Sequence, residues 1–211
     1  MNIPFWTAGR TIDLAALGRQ DVTVEIIGET LAKLNRFGGR TPEPWSVAAH
    51  SVLVEHLCPP DLRPWAVLDD GHEAFIGDMI TPAGDLLSQY APASSPDAVG
   101  RAITSAKGAI DRVIGSAWGV AVRSMSEQLR RADNIAVIAE AWMFLGIRPE
   151  PLNHAETDLL DSAMTILRDL PRGGDWRAAR DLWISRVDFY AKLGRLSPPR
   201  ATDPSGMVLA G

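Results

Sequence analysis

The sequence has one cysteine, Cys58, and no apolar run near the roughly 20 residues that a membrane-spanning helix needs. A single cysteine excludes an internal disulfide framework and fits a reducing compartment. The first residues, 1–6, lack the basic start and the apolar core of a secretory signal. We therefore expect a cytoplasmic protein that makes no contact with a membrane.

Basic residues are also scarce, with 21 Lys and Arg against 26 Asp and Glu and a formal net charge of −5. This balance argues against binding to a nucleic-acid polymer, which needs a basic surface. It leaves room for a small phosphorylated ligand, because a few local arginines and a metal ion can outweigh the overall charge. At 211 residues and 46% hydrophobic residues, the chain is long enough for one globular core.

Apolar residues recur at helical spacing along most of the chain, and nothing in its body alternates as a strand does. We predict a single all-α domain over residues 1–197, which begins with a short strand-like or irregular arm within the first twenty residues. The prolines beyond residue 197 predict a flexible tail over 198–211. The expected helices begin at or near Asp21, Ser46, Asp61, Pro96, Glu127, Asn153 and Asp175.

The segment 69–78, with sequence DDGHEAFIGD, is the richest in side chains that bind metals or carry protons. His50 lies upstream on a predicted helix, and Asp133 lies downstream on another. Side chains from three helices can converge in a bundle core, where a dication offsets the cost of burying carboxylates. The same residues also suit an ordinary core histidine and helix-capping aspartates, and their spacing alone leaves both interpretations open.

Several segments, taken in order, resemble the HD-domain metal-dependent phosphohydrolases. They are Arg36-Phe37, the run 45–51 (WSVAAHS), the run 70–78 (DGHEAFIGD) and Ala132-Asp133. The chain is most similar to the bacterial and phage branch of that superfamily, which is related to 5'-deoxynucleotidases. The resemblance implies an HD-domain helical bundle with one divalent metal ion (Mn, Co, Mg or Zn), held by His50, Asp69, Asp70 and Asp133.

Asp69 departs from the family pattern, which has histidine at this position of a His-Asp pair. Two histidines and two carboxylates neutralise a dication, whereas a third carboxylate leaves the centre negative. A more negative centre makes bound water less acidic and favours oxygen-loving Mn or Mg. Asp69 is then a tolerated variant, an inactivating substitution, or the sign of a binding protein without catalysis. His72 is a conceivable substitute ligand, although a residue two positions after Asp70 need not face the same way.

By the same resemblance, Glu73 is the catalytic carboxylate that orients the attacking water, and Asp78 occupies a second acidic position. Arg36 is implied to contact the substrate phosphate, while Phe37 and His72 belong to the substrate pocket. Each residue also has a plain structural interpretation. Glu73 could stabilise a helix N-terminus, Asp78 could cap a turn, and Arg36 could be a solvated charge at a helix end.

We predict that the chain hydrolyses (deoxy)nucleotides, releasing a 5'-phosphate from a monophosphate or triphosphate from a triphosphate. The alternative is a catalytically impaired or silent nucleotide-binding protein, because Asp69 replaces a histidine. A helical interaction module whose acids only cap helices is the simplest remaining interpretation. We also expect a homo-oligomer, since the long helix after Pro96 and the aromatic C-terminal helix could carry a subunit interface.

Overall fold

The computed structural model describes residues 1–7 and 10–201. The N-terminal arm is an antiparallel hairpin of β1 (Pro4–Thr7) and β2 (Arg10–Asp13), in which Phe5 pairs with Ile12. Ile12 is buried in the core, whereas Trp6 is 85% exposed. The alternation that anchors one face of β2 was too short to stand out in the sequence.

The body of the chain is helical, which confirms the predicted all-α bundle. Its helices are α1 (Val24–Lys33), α2 (Val47–Leu57), α3 (Arg63–Ala66), α4 (Glu73–Ile76), α5 (Thr81–Gln89), α6 (Ala98–Trp118), α7 (Glu127–Leu145), α8 (His154–Asp169) and α9 (Trp176–Lys192).

Three of the predicted capping residues do cap helices. The Ser46 hydroxyl accepts a hydrogen bond from the Ala49 amide, 3.2 Å away, at the start of α2. Asn153 begins α8, and the Asp175 carboxylate accepts from two amides of α9. Each of these side chains satisfies backbone donors that have no partner inside the helix.

The cap of α1 differs from the prediction. The cap is Thr23, whose hydroxyl accepts from the Ile26 amide, and Asp21 lies two residues before this cap. Asp21 is buried, accepts from the Gly18 amide and pairs with Arg10 at 2.7 Å. The carboxylate therefore ties the hairpin arm to the bundle instead of starting the helix.

Helix α2 is the centre of the bundle and contacts α1, α7, α8 and α9. It is apolar on nearly every side, with Val47, Val52 and Leu53 fully buried. A helix of this kind is enclosed by its neighbours instead of lying on the surface. Its two charged core positions, His50 and Glu55, are also fully buried and need partners on other helices.

The acidic segment forms a tight turn between α3 and α4, with a 3₁₀ turn at Asp69–His72. Helix α6 packs directly on this turn. A Cβ atom at Gly71 would lie 3.0 Å from the Cδ1 atom of Ile114, so glycine allows this close approach. Gly77, with φ of 78°, then ends α4 in a conformation that favours glycine.

Residues 198–201 of the predicted flexible tail lie against the start of α1. The Val24 amide donates to the Pro199 carbonyl at 3.0 Å, and the Ala201 amide donates to Glu25 at 2.7 Å. Residues 202–211 of the tail lie outside the described residues. Over the part of the chain that is described, every helix is too short or too polar to span a bilayer.

Candidate metal centre

Arg36 and Phe37 lie in a turn that is fastened to the entry of α2. The Arg36 amide donates to the Trp45 carbonyl at 2.8 Å, and the Val47 amide donates to the Leu34 carbonyl at 3.0 Å. Within the described residues, Phe37 is the only non-glycine residue with positive φ, at 56°. Such a conformation is unfavourable for a bulky side chain and persists only when its surroundings hold it. The turn thus places Arg36 beside α2 in a defined position.

His50 brings three helical segments together. Its Nε2 atom lies 3.0 Å from Asp133 Oδ1 on α7 and 3.5 Å from Asp70 Oδ2 on the acidic turn. Its Nδ1 atom lies 2.6 Å from Glu140 Oε1, also on α7. The ring is therefore held from one side by Glu140, and its other nitrogen faces two carboxylates.

Burial and Arg36 lower the pKa of His50, but Glu140 and Asp133 outweigh them and raise it to about 10. Burial likewise opposes ionisation of Asp133, whereas the hydrogen bond and the charge of His50 lower its pKa. Without a metal ion, the imidazole is therefore protonated and its charge is shared by Asp133 and Glu140. A dication bound at Nε2 would have to displace this proton.

Asp70, His72 and Glu73 form a second group at the same turn, and each offers a ligand atom within 4.8 Å of the other two. His72 and Glu73 are 6% and 5% exposed. Among the described residues, His72 Nε2 and Glu73 Oε2 have no hydrogen-bond partner. Buried polar atoms are almost always paired, so two unpartnered atoms at one turn indicate room for a ligand.

The carboxylates of this turn repel one another. Burial, together with the charges of Asp70 and Asp78, raises the pKa of Glu73 to about 9. Burial is also the main reason why the pKa of Asp78 is raised, with Asp70 adding to it and Arg36 opposing it. The predicted catalytic pair therefore lies in an environment that is short of positive charge.

Asp69 is held on the side of the turn that faces α3. Its Oδ1 atom accepts hydrogen bonds from Trp65 Nε1, at 2.7 Å, and from the Ser124 hydroxyl. Burial and the charge of Asp70 raise the pKa of Asp69 to about 6, although these two hydrogen bonds oppose the rise. At least one oxygen of the side chain that was predicted as a metal ligand is thus engaged by neutral donors.

Arg36 lies at the edge of the same cluster. Its Nε atom donates to Glu140 Oε2 at 3.0 Å, and both side chains are largely or fully buried. Burial alone lowers the pKa of Arg36, but Glu140, Asp70 and Asp133 raise it above its ordinary value. The described residues accept no hydrogen bond from its terminal nitrogens, which leaves the guanidinium a free edge for an anion.

The structure brings the predicted residues His50, Asp70 and Asp133 into contact. It places Glu73, Asp78, Arg36 and His72 around them, and Phe37 packs beside Arg36, whose guanidinium carbon is 5.8 Å from the ring centre. Asp69 is close by in sequence but has its own hydrogen-bond partners.

Glu140 and Asp111 were missed by the sequence analysis, and both left a signal. Glu140 follows Asp133 by seven residues, two helical turns, and so lies on the same face of α7. Asp111 interrupts the apolar spacing that continues through Ile114 and Trp118 on α6. A buried acid on an apolar helix face needs a partner, and a search for one would have led to a histidine.

Two distances in the His50 cluster are compatible with a shared divalent cation, and Asp70 also belongs to the group of Asp70, His72 and Glu73, whose ligand atoms all lie within 4.8 Å of one another. Ligand atoms about 2.1 Å from a common ion lie roughly 3.0 to 3.5 Å apart, which matches the distances from His50 Nε2 to both aspartates. The excess of carboxylates and the unpartnered Glu73 oxygen also call for positive charge. We therefore treat His50, Asp70 and Asp133 as residues able to hold a dication.

No family model matches this chain. The chain is 31% identical over 74 residues to the uncharacterized protein YfdR of Escherichia coli (strain K12), a match that covers 35% of this chain and 42% of that protein. It is 39% identical over 84 residues to an uncharacterized protein of Rhodobacter capsulatus, which covers 36% of this chain and 43% of the relative. The chain thus spans less than half the length of the curated relatives that it matches.

Proposed function

We propose that this protein is a metal-dependent phosphohydrolase of the HD-domain type that acts on (deoxy)nucleotides. The observation that carries the proposal is the position of His50 Nε2 between Asp133 and Asp70, which come from separate parts of the chain. The buried Glu73 lies at the same turn and has an oxygen without a hydrogen-bond partner among the described residues. Buried polar atoms are usually paired, so this oxygen supports a ligand site.

His50, Asp70 and Asp133 would hold the cation, and the family resemblance implies a fourth ligand, which it places at position 69. When bound, Mn, Co, Mg or Zn polarises a phosphate oxygen and makes its own water more acidic. Glu140 accepts a hydrogen bond from His50 Nδ1 and so sets both the tautomer and the orientation of the ring. Metal ligands commonly have such an outer carboxylate.

Glu73 would accept a proton from the attacking water. Its pKa of about 9 keeps it neutral at pH 7 without a cation, which is unsuitable for a base. An adjacent dication favours the carboxylate form, so metal loading would make Glu73 competent to take that proton. Asp78 shares the same environment and would hold a proton or a sugar hydroxyl near the leaving group.

Arg36 would bind the substrate phosphate with its free terminal nitrogens while Nε stays on Glu140. A guanidinium in this position balances negative charge that develops on the phosphoryl oxygens. Phe37, in its constrained backbone conformation, would border the nucleoside, and His72 would lie close to the scissile group.

The test is incubation of the purified chain with deoxynucleoside mono- and triphosphates in the presence of Mn, Co, Mg or Zn. We expect release of phosphate or triphosphate, and a loss of about 10²- to 10⁴-fold in Glu73→Gln with unchanged metal content. Arg101→Ala, on the exposed side of α6, is the matched control. A protein that binds metal but turns over none of these substrates would refute the proposal.

A second candidate is a silent nucleotide-binding protein, and the hydrogen bonds of Asp69 favour it. Trp65 and Ser124 donate to Asp69 Oδ1, so the expected fourth position has no histidine and its carboxylate has one oxygen already engaged. The variant Asp69→His separates the two functions. A large gain in hydrolysis would identify an impaired enzyme, whereas unchanged hydrolysis would show that the natural residue is competent. Location in the cytoplasm and assembly into a homo-oligomer remain predictions from the sequence.

A further inference from the structure

The fourth ligand position of the proposed metal centre has two rival side chains on the same turn. Asp69 Oδ1 already accepts from an indole nitrogen and a hydroxyl, and these two donors come from Trp65 and Ser124. Use of this oxygen as a metal ligand would compete with both donors: the Ser124 hydroxyl would lose its acceptor, and Trp65 Nε1 would keep only the Ser124 oxygen, 3.1 Å away. If His72 Nε2 bound a metal, no hydrogen bond to the described residues would be lost.

His72 has the arrangement that metal-binding histidines show. Its Nδ1 atom lies 3.0 Å from Asp111 Oδ1 on α6, and the two side chains are 8% and 6% exposed. A carboxylate on one ring nitrogen fixes the proton there and presents the other nitrogen as a ligand. That other nitrogen, Nε2, is buried and has no partner among the described residues.

The position of His72 relative to the other candidate metal ligands is also suitable. His72 offers a ligand atom within 4.8 Å of ligand atoms of Asp70 and Glu73. Asp70 in turn lies 3.5 Å from His50 Nε2, so one carboxylate connects the two imidazoles. Asp70 thus belongs to both groups, and an ion shared by the two imidazoles would be bound at this carboxylate.

The charge of the ligand set supports the same choice. One imidazole with Asp69, Asp70 and Asp133 leaves a dication centre with one excess negative charge. Two imidazoles with Asp70 and Asp133 neutralise it. A neutral centre avoids burying uncompensated charge and keeps the affinity for an anionic substrate.

We propose that His72, and not Asp69, supplies the second imidazole of the metal centre, with Asp111 as the residue that positions it. Asp69 instead joins the acidic turn to Trp65 and Ser124. This inference rests on the proposed function, because it assigns a ligand of the same metal centre. It implies that His72 provides the imidazole that the family pattern places three residues earlier, at position 69.

The experiment is a titration of the metal-free chain with Mn²⁺ by calorimetry, together with the visible absorption spectrum of the Co²⁺ form. We expect His72→Ala to weaken Mn²⁺ binding by about 100-fold or more, and Asp111→Ala by about 10- to 100-fold. The matched substitution Asp69→Asn should change the affinity by less than about threefold. The Co²⁺ spectrum should change in His72→Ala and persist in Asp69→Asn, because only the former loses a nitrogen ligand.

His72→Gln, which is close to histidine in size, serves as a second variant should the alanine variant fail to fold. Near-ultraviolet circular dichroism checks the fold of each variant. Wild-type affinity in a folded His72→Ala or His72→Gln, with metal still lost in His50→Ala, would overturn this inference and leave the proposed function standing. A strong loss in Asp69→Asn would also overturn it. A wild-type chain that binds no dication would overturn both.

Discussion

Helix α2 carries two fully buried ionisable side chains into different surroundings. His50 faces α7 and the acidic turn, whereas Glu55, roughly 140° further around the helix axis, faces α9. Both belong to the same helix and are equally inaccessible to water. They differ in whether the polar atoms around them have hydrogen-bond partners, and that difference separates a structural cluster from a candidate functional site.

The Glu55 cluster is closed. Arg186 donates two hydrogen bonds of 2.9 Å to its two carboxylate oxygens, and the Tyr190 hydroxyl donates another. Burial alone would raise the pKa of Glu55, but hydrogen bonds from His56, Arg186 and Tyr190 lower it to about 2. Both carboxylate oxygens of Glu55 have donors, and its charge is balanced by Arg186, so a ligand would find no unpaired group to bind there.

The His50 cluster is open. Within the described part of the chain, His72 and Glu73 each have one buried atom without a partner, and carboxylates outnumber positive charges around them. The pKa of Glu73 is raised to about 9 by burial and by its acidic neighbours. This cluster reduces the stability of the metal-free fold, and such strain is typical of sites that bind or react.

The largest expected contrast is in turnover. His50→Gln should lower kcat/KM at least about 10³-fold, because it removes a ligand of the proposed metal and the link between Asp133 and Asp70. Glu55→Gln should leave kcat/KM per folded molecule within about threefold. Nucleotide hydrolysis measured beside metal content distinguishes them. Equal losses of kcat/KM in the two variants would mean that His50 and Glu55 do not differ in their contribution to activity.

Removal of the closed cluster should be the most costly change for stability. Glu55→Ala leaves the partly buried Arg186 guanidinium and the buried Tyr190 hydroxyl without their carboxylate, and we expect a loss of about 3 kcal/mol or more in the free energy of unfolding. Urea denaturation measures it. The control is Asp97→Ala, which breaks the exposed pair with Arg101 and should cost less than about 1 kcal/mol. Comparable losses would contradict the distinction between buried and exposed pairs.

Acid should weaken the closed cluster in a defined window. The pKa of Glu55 is lowered in the folded state, so its contribution is complete above the unfolded pKa of about 4.5 and is lost as the pH falls towards 2. A shift of this size corresponds to about 3 kcal/mol. Urea denaturation at pH 6 and pH 3 should show a larger loss in the wild type than in Glu55→Gln. Parallel losses would show that Glu55 is not the group responsible.

The open cluster should respond in the opposite direction. The pKa of Glu73 is raised in the folded state, so its effect on stability becomes unfavourable as the pH rises from about 4.5 towards 9. At pH 7 without metal, Glu73→Gln should therefore stabilise the fold by about 1–3 kcal/mol, and by much less at pH 4.5. Thermal or urea denaturation with a chelator present measures this. A destabilised variant would place Glu73 among the structural acids.

Local sequence determined most of the helices and their ends. Ser46, Asn153 and Asp175 start helices by accepting hydrogen bonds from amides within three residues, and such interactions can be inferred without knowing the fold. The order of the candidate metal-binding residues, from His50 to Asp133, was also visible in the sequence. The helix caps depend only on neighbours in the chain.

Tertiary structure decided which acid faces which base. Glu140 reaches His50 across 90 residues, Asp111 reaches His72 across 39, and Arg186 reaches Glu55 across 131. It also brought the Trp65 indole and the Ser124 hydroxyl to Asp69 Oδ1. A carboxylate looks the same in sequence whether it binds a metal, orients a histidine or closes an ion pair. Its role is set by burial and by the partner that packing brings within about 3 Å, and packing is a property of the whole bundle.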